Sequence, residues 1–118
     1  MKKFLIILAA SLGISLGAWA VTPASFPGGA DAVKEYISAN MKYPQVAKEN
    51  GIEGVVSVMF TVKADGTIGN IKIKRMVDPD LEAEAIRLVK QMPKWTPASD
   101  NGTTVESVTE VDVPFSLE

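Results

Sequence analysis

The strongest constraint on this chain is a run in which Val56, Val58, Phe60 and Val62 hold one parity and Ser57, Met59, Thr61 and Lys63 the other. Side chains of a strand point alternately to its two faces, so this run predicts a strand with one apolar face. Ala64-Asp65-Gly66-Thr67 follows at once, and Asp-Gly tolerates the positive φ that a tight hairpin turn demands. On the return strand Ile71 and Ile73 are in phase while Ile68 is not. One extra residue near Gly69-Asn70 restores the phase and predicts a β-bulge there.

Helical spacing brackets this hairpin. Val33, Tyr36, Ile37 and Met41 recur at helical intervals, with Asp31 as an expected cap. Tyr43-Pro44 stops that helix, because the residue before a proline is pushed out of the α region. Pro44 can open a short second helix to Asn50, with Gly51 as its left-handed cap. After the hairpin, Asp78-Pro79 reads as cap plus first-turn proline, and Leu81, Ala85, Leu88, Val89 and Met92 form one stripe. Pro93 ends that helix, and Trp95 is expected to pack under the following loop. Asn101-Gly102 then turns the chain into a last strand in which Val105, Val111, Val113 and Phe115 share a parity with Ser107 and Thr109. A helix between consecutive parallel or neighbouring strands crosses over the sheet right-handedly. The predicted fold is therefore α+β: a three-stranded antiparallel/mixed sheet of order 2-1-3 with helices packed on one face. Its third strand lies on an open edge.

The N-terminus predicts export. Lys2 and Lys3 precede an apolar stretch, and Ala18-Trp19-Ala20 places small residues at Ala18 and Ala20, the two positions that a signal peptidase reads. Residues 1–20 are thus expected to be a signal peptide, 21–29 an exposed lead-in and 30–118 the folded domain. The alternative is a retained inner-membrane anchor facing the periplasm, since Phe4 to Val21 approaches the ~17–25 residues needed to span a bilayer. Cleavage would remove two of the 12 basic residues and none of the 14 acidic ones. The resulting negative charge opposes nucleic acid and anionic lipid as partners. The chain has no cysteine and no histidine. Disulfide staples are ruled out, and the commonest metal ligand and acid/base residue is missing. Asp78, Asp80, Glu82 and Glu84 are better read as a cap and dipole complement than as a metal site. No catalytic residues, metal or cofactor are expected, and the chain reads as a non-enzyme.

Taken together, Tyr43-Pro44, Gly51-x-x-Gly54, Asp65-Gly66 and Pro93-Lys94-Trp95-Thr96-Pro97 resemble, in order and spacing, the TonB C-terminal domain family. The resemblance covers about Phe26 to Leu117. It implies a periplasmic module that binds the TonB-box segment of outer-membrane TonB-dependent transporters by strand addition, in which main-chain hydrogen bonds provide the grip. Carried over, the partner-binding positions are Tyr43, Pro44, Val105, Glu106, Ser107, Val108, Thr109, Glu110 and Val111. Inner-membrane motor components are a further candidate partner. The chain departs from transducing members of the family: only Val21 to Phe26 separates the apolar segment from the domain, and six extended residues reach about 20 Å. A free binding module is expected rather than a force transmitter. The alternative is an exported domain of this fold with a structural or inhibitory role towards another envelope protein.

Overall fold

The computed structural model describes residues 5–7 and 21–117. In chain order its elements are β1 (Leu5–Ile7), β2 (Val21–Thr22), α1 (Ala30–Asn40), α2 (Gln45–Glu49), β3 (Gly54–Val62), β4 (Ile68–Arg75), α3 (Pro79–Lys90), β5 (Ala98–Asp100) and β6 (Thr103–Phe115). The sheet runs β2-β5-β6-β3-β4, with β1 added to β6. The expected 2-1-3 arrangement is its β4-β3-β6 centre, but a sheet of three strands is too few. β5 pairs antiparallel with the start of β6, β2 pairs antiparallel with β5, and β1 lies parallel to β6.

Local chemistry accounts for each central element. Asp78 caps α3 by accepting from the N–H groups of Asp80 and Leu81, and Pro79 takes the first turn. Between β3 and β4 the register slips between Met59 and Thr61, and Asn70 takes a positive φ of 47°. That is the bulge the phase of Ile68 predicts, and a second slip lies between Ser57 and Val58. Asp31 does not cap α1: Gly29 occupies the cap position, and Asp31 sits in the first turn, where its charge suits the helix dipole. Gly51, at φ 67°, follows α2 as expected.

The core lies between the sheet and the helices. Val56, Val58, Phe60 and Val62 of β3 are fully or almost fully buried, against Leu81, Ala85, Leu88 and Val89 of α3 and Val111, Val113 and Phe115 of β6. Trp95 fills the gap below the hairpin turn, its ring 5.3 Å from Phe60 and 5.7 Å from Phe26, both edge-on. Residues 21–29 are mostly exposed, as expected, but they are fastened to the domain: Phe26 is only 7 % exposed, Ser25 bridges Thr96, and Val21–Thr22 pairs with Ser99–Asp100. Burial of the Phe26 ring against two other aromatic rings holds the segment in place despite its Pro and Gly content.

One polar clamp fixes α1 to α3. The Lys42 N–H donates to Glu84 Oε2 at 2.7 Å, Arg87 Nη2 donates to the Asn40 carbonyl at 2.9 Å, and Arg87 and Glu84 pair at 2.7 Å. Tyr36 Oη adds a bond to the Leu88 carbonyl at 2.8 Å. Glu84, read from the sequence as a complement to the helix dipole, is only 8 % exposed, which this full set of partners makes tolerable.

Two predictions follow from packing and from this clamp. A Cβ at Gly66 would lie 2.3 Å from the Trp95 carbonyl oxygen, at a φ of 90°. Gly66→Ala should therefore lower stability by about 1–3 kcal/mol, read as a lower urea midpoint with an unchanged slope; an unaltered midpoint would show that the turn relaxes freely. Burial raises the Glu84 pKa, but bonds from Arg87 and the Lys42 N–H outweigh it, and the carboxyl is held below its usual range. A lowered folded-state pKa contributes stability that is present above the unfolded pKa of about 4.3 and is lost as pH falls through the folded value. Glu84→Gln should accordingly be destabilised at pH 7, with the gap to wild type closing below about pH 4. A gap independent of pH in urea titrations would contradict the charged clamp.

Candidate functional site

A sheet edge offers chemistry through its backbone, so the direction of each N–H matters more than side-chain identity. β6 pairs with β3 without a slip from Gly54↔Phe115 to Val62↔Ser107. Pro114 sits inside this ladder and has no N–H, so its nitrogen points away from β3. Backbone groups alternate along a strand, and those of Asp112, Glu110, Val108 and Glu106 therefore point outward with it. Val111, Val113 and Phe115 send their own groups to β3 and their side chains into the core.

The outer edge is not uniformly open. Thr103–Val105 pairs with β5 on the edge that β3 uses further along, because the two-residue turn at Asn101-Gly102 directs Thr103 and Val105, which share the parity of Val111, towards β5. On the outer side Glu106–Val108 is matched in register by Leu5–Ile7 of β1, which lies within the expected signal peptide. Among the described residues, the stretch from Thr109 to Phe115 has no strand on its outer side. Of the expected binding segment, Val105 to Val111, the outer side of Glu106, Ser107 and Val108 is paired by β1 alone, a strand that signal-peptide cleavage would remove, while Thr109, Glu110 and Val111 have no strand there among the described residues. Asp112 and Pro114, which the sequence reading left out, continue this open stretch. Their signal was the parity set by Pro114.

Side chains tune this edge. Glu110 meets Lys74 at 3.0 Å, with both about half exposed, and Asp112 accepts from Ser57 Oγ at 2.7 Å. Both pairs lie on the face away from the helices, and an exposed ion pair contributes little stability. The opposite edge, β4, carries Lys72, Lys74 and Arg75 and two register slips against β3. Such charge and irregularity discourage strand pairing there.

Tyr43 is half-buried, its ring 5.6 Å and edge-on from Phe115 at the C-terminal end of β6. Its hydroxyl donates to the Ile52 carbonyl. Burial, with Glu53 nearby, holds that hydroxyl above the usual phenol range. Pro44 caps α2. Tyr43 and Pro44 therefore brace the far end of β6 rather than lie beside Val105–Val111. Ala18 and Ala20 fall outside the described residues. Among the described residues no group of acidic side chains could hold a metal ion, and no helix is long and apolar enough to cross a membrane.

Residues 39–117 match the family model described as the Gram-negative bacterial TonB protein C-terminal. The chain is 33% identical over 87 residues to protein TonB of Helicobacter pylori strain J99, covering 73% of this chain and 30% of that protein. It is also 33% identical over 76 residues to protein TonB of Pseudomonas aeruginosa, covering 62% of this chain and 22% of that protein. The chain thus spans less than a third of the length of these curated relatives. The solution structure of the H. pylori TonB C-terminal domain aligns with a TM-score of 0.55 at 29% identity, over 75% of this chain and 92% of that one. Fold, motif order and sequence agree: the chain belongs to the TonB C-terminal domain family.

Proposed function

We propose that this chain is a periplasmic, non-enzymatic module that receives the TonB-box segment of an outer-membrane TonB-dependent transporter by strand addition at β6. The observation that carries this reading is the outward backbone from Glu110 to Pro114, which has no strand partner among the described residues. It belongs to a strand fully paired on its other side, so the acceptor is already in extended form and loses little freedom on binding. The family supports a partner of this kind, and export through the signal peptide at residues 1–20 places the module in the right compartment.

The acceptor works through main-chain groups, so side-chain and backbone changes should separate. Glu110→Pro deletes one outward donor and bends the added ladder, while the β3 side needs no N–H from this residue. Losing two bonds at roughly 0.5–1.5 kcal/mol each weakens binding about 5- to 150-fold. Calorimetry with synthetic box peptides from the outer-membrane transporters of the same genome should show that loss for Glu110→Pro. Glu110→Ala should change affinity less than about threefold. Equal losses from both, in variants that remain folded, would make side-chain recognition the mechanism and exclude strand addition.

A further inference from the structure

The face of the sheet away from the helices is divided by charge. The three helices pack on the other face, where Ile37, Ala47 and Leu88 join Val56, Val58 and Phe60 in the core. On the free face the middle row is Ser57, Met59 and Thr61 of β3, which alternate with those core residues. β4 sets Arg75 beside Ser57 and Lys72 beside Met59, and Lys74 reaches over the same row to Glu110. On the opposite flank β6 sets Asp112 beside Ser57 and Glu110 beside Met59. All five of these charged residues are exposed, whereas Ser57 and Thr61 are buried and Met59 is half-buried. The result is a low floor with a cationic row along one side and an anionic row along the other, about 10 Å apart at two strand spacings.

We infer that this face is a docking surface for a second copy of the chain, the two sheets stacked with the cationic row of each on the anionic row of the other. Charge complementarity identifies the occupant. A uniformly anionic partner, such as nucleic acid or a lipid surface, would attract the β4 row and be repelled by the β6 row beside it. A two-fold contact sets the same patch of both copies face to face, with its axis in the plane between them. An axis across the strands lays each row on its own kind, which is repulsive. An axis along β3 exchanges the rows: Arg75, Lys72 and Lys74 of one copy meet Asp112 and Glu110 of the other, and Met59 meets Met59. Sheets that stack face to face keep their strands within about 30° of one another and about 10 Å apart, which an axis near β3 supplies. The Lys74–Glu110 pair within each copy is exposed and contributes little stability, so it changes partners at low cost. A face three strands wide is small for an interface, so the contact is weak and sensitive to salt. It leaves the outward backbone of Glu110 to Pro114 unused, and so stands apart from strand addition.

The test is charge reversal in the full chain. Lys72→Glu with Lys74→Glu makes both rows anionic, and Glu110→Lys with Asp112→Lys makes both cationic. Sedimentation equilibrium of the unaltered chain should show a monomer–dimer equilibrium that weakens at least about tenfold on going from low salt to ~0.3 M. Each reversed variant alone should dimerise at least about tenfold more weakly than the unaltered chain. An equimolar mixture of the two should form a heterodimer at least as tight as the unaltered dimer, which would also show that both variants fold. A chain that stays monomeric to millimolar concentration, or a mixture of folded variants that stays monomeric, would overturn the inference. So would a dimer indifferent to both reversals but lost in Glu110→Pro, which would place the copies edge to edge. Peptide binding is read separately, so none of these outcomes decides it.

Discussion

The unbroken pairing of β3 with β6 is the contact on which the rest of the structure depends. It joins the middle of the chain to its C-terminal strand and so dictates that α3 crosses one face of the sheet. It buries β3 between two neighbours, which lets Val56, Val58, Phe60 and Val62 form the floor of a single core. It also settles, through Pro114, which backbone groups of β6 are used internally and which face outward. Fold and acceptor edge are therefore two consequences of one register.

Much of this was legible in the residues. The Asp65-Gly66 turn, the phase error of Ile68 and the Asp78-Pro79 cap each express a local rule, and each holds in the structure. The missed elements lack such rules. β5 is only Ala98-Ser99-Asp100, too short to show alternation, and its partner β2 has two residues. Phe26 is anchored by Trp95 and Tyr36, contacts distant in sequence that no window around residues 21–29 can contain.

The site was legible in outline and not in detail. Charge and parity on β6 pointed to an edge strand, and the motif order pointed to its use. The sequence reading stopped at Val111, whereas the parity set by Pro114 carries the outward backbone on through Asp112 and Pro114.

The most direct test of the account is where an added peptide lies. Isotope-labelled chain, titrated with an unlabelled box peptide, can be read by nuclear Overhauser contacts between peptide backbone protons and assigned amides. Contacts from successive peptide residues to the amides of Glu110 and Asp112 are the expected result. Contacts confined to the outer edge of β4, or to side chains with the β6 amides unchanged, would contradict it.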